Sequence, residues 1–532
     1  MKADAVSGPS KSANPAGPKL YDRVAARICE LIERGTLRPG GRVPSIRKVS
    51  AQEQVSIATV TQAYRLLEAR GLIEAKPQSG YFVRARRWTL PPEPEVYRPR
   101  PQVNNVRVRD LVLQVVRSSF VPNMVRLGVA MPNAELFPTR ELSRVMASVG
   151  RRAPQANHAY APPKGDAGLR VQIALQAIEA GCALSPEDLI VTSGASEGLN
   201  LCLRAVTKPG DIVAIESPTF FGILQIIESL GLRACEIPTY PRQGICLDEL
   251  KHRLKHCRIK ACLFTPNFSN PLGSCMPDEN KRKLVELLTE REIPLIEDDV
   301  YGKLVFTGNR PKVCKAFDKE GWVMTCDSFS KTLAPGYRVG WVAAGRFREQ
   351  VEFLKWTNSL ATCSPPQLAM AQFLQSGGYE NHVRKLSRTY AENVRRMTEI
   401  VGCCFPEGTK VSRPNGGMAL WVELPPHIPG LQVYERALAR RISIAPGPIF
   451  SVKRGFQNYI RLNFGNPWTD EIEQALVHLG QIIAGVNAES SSKRSFAGAS
   501  GQSVLNGSPG KILSLSLARR SSDSPTPDKP PA

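Results

Sequence analysis

The sequence predicts two folded modules of different class: a small, mostly α-helical one near the N-terminus, then a large α/β one on a mostly parallel central sheet. Three observations lead there. The chain has 532 residues, too many for one ordinary domain and enough to bury a sizeable core. A proline-rich stretch, Pro91-Pro92-Glu93-Pro94 through Pro99-Arg100-Pro101, interrupts it. Beyond that stretch, apolar runs of strand length alternate with amphipathic stretches of helical spacing, the pattern of parallel strands covered by helices on both faces.

The boundaries follow from composition. Residues 1–17 are small and polar and are expected to be disordered, and 18–87 form the first module. Residues 88–120 read as an extended Pro/Arg-rich linker, 121–487 as the large module, and 488–532 as a disordered Ser-, Gly- and Pro-rich tail. The net charge is +22, and roughly half of it falls within the first 118 residues. Such a local excess suits a polyanion, because lysine and arginine gain affinity by displacing counterions from phosphates. A solvated basic surface accounts for charge alone equally well, so the pattern must decide. The thirteen cysteines include no C-x-x-C pair, which fits reduced thiols and gives no zinc site. No run of about 18 apolar residues and no apolar leader appears, so the expected location is cytoplasmic.

In the first module Tyr21, Val24, Ile28, Leu31 and Ile32 recur at helical spacing, and Gly35 ends that helix. After the turn at Leu37-Arg38-Pro39-Gly40-Gly41, a short helix begins near Ser45. A third begins after Ser56, an N-cap residue type. On it Val60, Tyr64 and Leu67 form an apolar stripe and leave Thr59, Thr61, Gln62 and Arg65 outward. Two short strand segments, turned at Ser79-Gly80, complete a winged helix-turn-helix, whose third helix enters the major groove. The runs Arg42-Val-Pro-Ser-Ile-Arg47, Val55-Ser-Ile-Ala-Thr-Val60, Ala63-Tyr-Arg-Leu-Leu-Glu68, Gly71-Leu-Ile-Glu74 and Ser79-Gly-Tyr-Phe-Val83 resemble the GntR-family DNA-binding domain. The resemblance implies double-stranded operator DNA as partner. It brings Ser45 and Arg47 near phosphates and base edges, with Arg47 suited to a guanine. Ser56, Thr59, Thr61, Gln62, Arg65 and Gly80 complete the expected contacting set. Ile57 stands where the family commonly has arginine; that removes a bidentate contact, leaves the operator open, and offers an apolar group to a thymine methyl.

In the large module, strands are predicted at Leu189–Thr192, Ile212–Ile215, Ala261–Thr265, Pro294–Ile296 and Val323–Cys326, with helices at Gly198–Val206, Phe220–Leu230 and Asp278–Arg291. A chemically distinctive group follows each strand. These are Ser193-Gly-Ala-Ser-Glu197, Glu216-Ser-Pro-Thr-Phe220, Asn267-Phe-Ser-Asn-Pro-Leu-Gly273, Glu297-Asp-Asp-Val-Tyr301 and Ser328-Phe-Ser-Lys331, with Arg338 seven residues after the lysine. In a parallel sheet the carboxyl ends share one rim, where α/β proteins bind ligands. Taken singly, a Ser-x-x-Lys or an Asn-Pro-x-Gly is more often an ordinary turn. Together they match what pyridoxal phosphate demands: a lysine for its aldehyde, a carboxylate for its pyridine nitrogen, donors for its phenolic oxygen, an aromatic for its face, and amides with a cation for its phosphate.

Residues 121–486 are similar to fold-type-I aminotransferases, a PLP-dependent transferase fold with a mostly parallel central sheet and a smaller α/β subdomain. Ser-Phe-Ser-Lys-Thr-Leu-Ala-Pro-Gly is the most specific match. The resemblance implies that Lys331 forms the internal aldimine, as the catalytic residue of an enzyme. It pairs Asp298 with the pyridine N–H, bonds Tyr301 and Asn270 to the phenolic oxygen, and stacks Phe220 on the ring. Gly194, Ala195 and Ser196 present amides to the phosphate beside Ser328 and Arg338, with Ser330 nearby. Tyr160 reaches the partner subunit's phosphate, which implies a homodimer. Arg461 clamps the carboxylate of a substrate or effector, and Gly128 lies beside it.

A GntR-type head on such a domain resembles the MocR-type regulators. This implies a transcription regulator sensing pyridoxal phosphate or an amino compound at Lys331, assembled head-to-tail. An alternative is a genuine aminotransferase of a 2-amino acid carrying a DNA-binding head, since sensor and catalyst need the same parts. A DNA-binding protein with an inert second domain is disfavoured by the complete motif set. Effector, operator and direction of regulation are not encoded legibly.

Overall fold

The computed structural model describes residues 20–499 except 34–35, 38–39, 70–71, 84–89 and 153. Gly35, Arg38, Pro39, Gly71 and the expected N-terminal disorder therefore lie outside the described residues.

In the head, α1 (Leu20–Glu33), α2 (Ile46–Glu53) and α3 (Ile57–Ala69) precede the antiparallel pair β1 (Ile73–Lys76) and β2 (Gly80–Val83). Ser45 caps α2, its hydroxyl accepting from the Lys48 amide at 3.3 Å, and Ser56 caps α3 through the Thr59 amide at 3.1 Å. The stripe Val60, Tyr64 and Leu67 is fully buried against Val24, Ile28, Val49, Ile73 and Val83. Tyr64 reconciles its hydroxyl with that burial by donating to the Pro44 carbonyl at 2.6 Å.

The segment expected as a linker differs from expectation from Leu90 onward. Pro91, Pro94, Pro99, Val106 and Val108 are buried at irregular intervals, so apolar residues along the segment face the large module and the chain lies along it as a strap. Pro92 O accepts from the Val411 amide at 2.8 Å, and the Tyr97 ring meets Phe456 at 4.4 Å between centroids. β3 (Val103–Asn105) then pairs antiparallel with Arg233–Tyr240, and α4 (Arg109–Ser118) buries Val112 and Val115 in the main core. Proline composition suggested an unattached chain; buried prolines and valines spaced along it produce docking.

The central sheet has nine strands among the described residues. Its main order is β3, Arg233–Tyr240, Ile212–Ser217, Ile259–Phe264, Leu295–Asp298, Val323–Ser328, Gly340–Ala343, Leu189–Thr192. The four consecutive strands from Arg233–Tyr240 to Leu295–Asp298, and Val323–Ser328 beside them, are parallel, while Gly340–Ala343 runs antiparallel to both its neighbours. That reversed strand matters for function. It starts at the rim where the others end, which returns Arg338 to that rim.

The smaller subdomain carries a four-stranded sheet ordered Lys410–Val411, Ala419–Glu423, Tyr459–Asn463, Ala445–Pro446, with the Gly378–Cys404 and Gly430–Ala439 helices. The Asp470–Ala499 helix continues past residue 487 into the stretch expected as tail, since Ala488 through Ala497 contain neither proline nor glycine to stop it; residues 500–532 lie outside the described residues. No helix among the described residues is long and apolar enough to cross a membrane.

Candidate cofactor site and nucleic-acid interface

The rim of the sheet brings the expected groups together. Asp298, the last residue of Leu295–Asp298, is buried, and burial foremost, with Asp327 and Asp299 nearby, pushes its carboxyl up to about 7 against the opposing bond from the Val300 amide. Lys331 is half-buried in the turn after Val323–Ser328. Its Nζ donates to the Ala130 carbonyl at 2.7 Å and lies 5.9 Å from the Tyr301 ring centroid. Desolvation, then the cations Arg461 and Arg338, pull its ammonium down to about 8, against Asp298.

Tyr301 and Asn270, both buried, are joined by Asn270 Nδ2 donating to the Tyr301 hydroxyl at 3.3 Å. Arg461 is fully buried in the Tyr459–Asn463 strand. Its Nη1 donates to Asn270 Oδ1 at 2.9 Å and its Nη2 to the Gly128 carbonyl, while Nε has no partner. No carboxylate among the described residues pairs with this guanidinium, and burial lowers it to about 10. A buried, unneutralised cation with a spare N–H is a place for an anion. Gly128 is packed close against the neighbouring segment, where a Cβ would meet Ser443 Oγ at 2.4 Å and Ile444 backbone at 2.8 Å.

On the other side, Gly194 caps the Ala195–Val206 helix with φ of 86°, so Gly194, Ala195 and Ser196 offer a helix N-terminus to an anion. A Cβ on Gly194 would strike Arg338 Nη2 at 2.4 Å; the missing side chain lets the guanidinium lie over the helix end. Arg338 donates to Ser330 Oγ at 3.3 Å and to Ser193 O at 3.0 Å, and the Ser328 hydroxyl accepts from the Ser330 amide at 3.4 Å. Phe220 is half-buried ahead of the Phe221–Ser229 helix, folded over Gly222, whose Cβ would lie 2.4 Å from its ring. Tyr160 stands apart, 86% exposed and touching none of these groups in one chain.

The residues therefore fit pyridoxal phosphate: a lysine with a depressed ammonium, a buried carboxylate, a phenol–amide pair, a ring, and an amide-and-guanidinium cradle. Several participants escaped sequence reasoning. Ala130 O holds Lys331 from 201 residues away. Glu197 ties the cradle helix down through Lys355 at 2.9 Å and the Ser193 amide at 2.6 Å. Lys303 braces the lysine turn from beneath, 4.0 Å from Asp327 and 5.2 Å from the Phe329 ring.

In the head, Ser45, Arg47, Ser56, Gln62 and Arg65 are exposed, and Gly80 opens β2 with φ of 96°. Thr59 and Thr61 are half-buried, and their hydroxyls bond Ser56 Oγ at 2.8 Å and Ile57 O at 2.8 Å in solvent-exposed hydrogen bonds. Ile57 is 55% exposed at the start of α3. Arg42, not anticipated as a contact, lies over the wing turn, its Nε 3.6 Å from where a Gly80 Cβ would stand.

Comparison with known proteins agrees with both halves. The family "Bacterial regulatory proteins, gntR family" matches residues 20–83, and "Aminotransferase class I and II" matches residues 124–479. The chain is 37% identical over 465 residues to the uncharacterized HTH-type transcriptional regulator YdcR of Escherichia coli K12, covering 87% of this chain and 99% of that one. It is 30% identical to aromatic-amino-acid aminotransferase 1 of Thermococcus litoralis, over 71% of this chain and 91% of the relative. Among solved structures, LysN, an α-aminoadipate aminotransferase of Thermus thermophilus complexed with N-(5'-phosphopyridoxyl)-L-leucine, superposes with a TM-score of 0.66 at 26% identity, over 72% of this chain and 96% of that one. The chain belongs to the MocR-type transcriptional regulators of the GntR family, DNA-binding proteins whose aminotransferase-fold domain depends on pyridoxal phosphate.

Proposed function

We propose that Lys331 is a chemical sensor, through which an amino compound at the cofactor site alters how the heads hold operator DNA. When bound, pyridoxal phosphate supplies an aldehyde on which amines exchange and a ring that withdraws electrons. The protein does the rest. Asp298 keeps the pyridine nitrogen protonated, Tyr301 and Asn270 fix the phenolic oxygen, and Phe220 covers the ring. Gly194, Ala195, Ser196, Ser328, Ser330 and Arg338 hold the phosphate, joined by Tyr160 of the partner subunit in a head-to-tail homodimer. Lys331 is the exchangeable amine, and Arg461 with Gly128 selects a carboxylate-bearing effector. The setting is cytoplasmic, where DNA and free amino acids meet.

One observation carries the effector class: Arg461 is buried, has no carboxylate partner among the described residues, and bonds the same Asn270 that bonds Tyr301. The test is titration of the cofactor-loaded chain with 2-amino acids and with the matching amines. Spectral exchange at far lower concentration for the amino acids supports the reading; equal response to both sinks it.

Transamination is the second reading, favoured by Lys331's lowered ammonium, since a neutral amine at Lys331 is also a base. Adding a 2-oxo acid after the amino acid distinguishes them: repeated recovery of the starting spectrum means turnover.

A further inference from the structure

The outer edge of the strap carries a charge pattern that folding does not explain. Arg98, Arg100, Arg107 and Arg109 are exposed, and the residues between and beside them, Pro99, Val106 and Val108, are buried. That alternation turns the four guanidiniums to the outward side. Two further exposed cations join the same edge. Arg233 is the register partner of Asn105, and Lys453 Nζ donates to Gln102 Oε1 at 2.5 Å. None of the six is in an ion pair among the described residues. The strap's earlier half is different: Glu93 pairs with Arg242 at 3.3 Å and Glu95 with Lys410 at 2.8 Å. The acids seen beside the edge are Glu228, which accepts from the Val108 amide at 3.4 Å, Asp110 in the first turn of α4, and buried Glu236, which feels the charge of Lys453. Arg109 is also the first residue of α4, where a cation opposes the helix dipole. Asp110 in the same turn favours the dipole, so the helix end gives no reason of its own for a cation at Arg109.

We propose that this strap edge is a second DNA-contacting surface, which holds the phosphate backbone of duplex flanking the site read by the head. The inference rests on the DNA-binding role of the head and adds a sequence-independent clamp to it. The chain from Val83 to Arg98 spans at most about 54 Å, between one and two duplex turns of roughly 34 Å, so duplex flanking the head's site lies within its reach. Unpaired arginines are suited to it, because each neutralised phosphate releases counterions while no existing salt bridge has to be broken.

The test needs no known operator. The full cofactor-loaded chain and its R98Q/R100Q/R107Q/R109Q variant are titrated with a random-sequence duplex between about 50 and 200 mM salt. The expected result is a weaker complex and a log K against log salt slope shallower by about 0.9 for each phosphate no longer neutralised, so about 2 to 4 in all. Unchanged cofactor absorbance shows that the variant is folded. Arg47→Ala provides the contrast: it loses preference for a selected site yet keeps the strap's share of the slope. An unchanged slope in the fourfold variant overturns the proposal. So does a variant that keeps full duplex binding but loses binding to phosphatidylserine vesicles, which assigns the edge to a membrane surface instead. A wild-type chain that binds no duplex even at about 50 mM salt overturns the head's role as well.

Discussion

Arg461 and Asn270 share a buried hydrogen bond of 2.9 Å, and Asn270 passes it on to Tyr301 at 3.3 Å. The group suited to a ligand carboxylate is thus wired to the group suited to the cofactor's phenolic oxygen. Arg461 also faces Trp421 across the strand pair, and Trp421 packs on Phe456 at 5.6 Å, against which Tyr97 of the strap rests. Packed side chains thus connect Arg461 with the segment leading to the DNA head.

Removing the carboxylate clamp separates cofactor from effector. Arg461→Ala is expected to weaken 2-amino acids by about 2–3 kcal/mol, thirty- to 150-fold, the worth of charge-assisted hydrogen bonds. The matching amines lose little. Cofactor-absorbance titrations check this, and equal losses for both ligand types contradict it.

Asp298 makes cofactor affinity depend on pH. Its carboxyl is raised to about 7, so before the cofactor enters it is ionised above that value and protonated below. Only the ionised form pairs with a pyridinium. Affinity for pyridoxal phosphate is therefore full above pH 7 and falls up to tenfold per unit below it. Asp298→Asn, isosteric but neutral, should bind about 2 kcal/mol more weakly and lose that pH step. Equilibrium dialysis from pH 5 to 8 reads both.

Lys331 should capture the cofactor faster than an ordinary lysine. With its ammonium lowered to about 8, about a tenth is neutral at pH 7, against well under a thousandth for an unperturbed side chain. The rate of capture rises with pH to about 8 and then levels. Borohydride trapping followed by peptide mass analysis measures it at this residue, and a continued rise to pH 10 contradicts the buried environment.

The strap's membership of the large domain is tested by truncation. A chain starting at residue 89 keeps β3 and α4 and should bind cofactor, whereas one starting at 119 exposes the core that Val112 and Val115 fill and should not fold. Val112→Ala alone is expected to cost about 2 kcal/mol in denaturant unfolding.

Much of this architecture is written locally. The α3 stripe, the Ser56 cap, the helix start near Ser45 and the strand ends followed by Asp298 and Lys331 follow from spacing and residue type. The strand Arg233–Tyr240 went unread because Pro238 and three charged or polar residues obscure its alternation, and Gly340–Ala343 because it is short and begins on glycine. Its reversed direction, which positions Arg338, has no local signature. Ala130's grip on Lys331 and the Lys303–Asp327 brace join distant residues, so only the fold reveals them. The strap misled for a physical reason: proline removes donors, yet its carbonyls still accept and its ring still buries.

The central claim, that Lys331 senses on behalf of the head, is tested most directly by footprinting the full chain on its own upstream DNA, with and without pyridoxal phosphate and an amino acid, beside Lys331→Ala. The wild-type footprint should change in extent or affinity with ligand while the variant's footprint does not respond. Identical ligand responses in both chains, or no response in the wild type across cofactor and amino compounds, would contradict it.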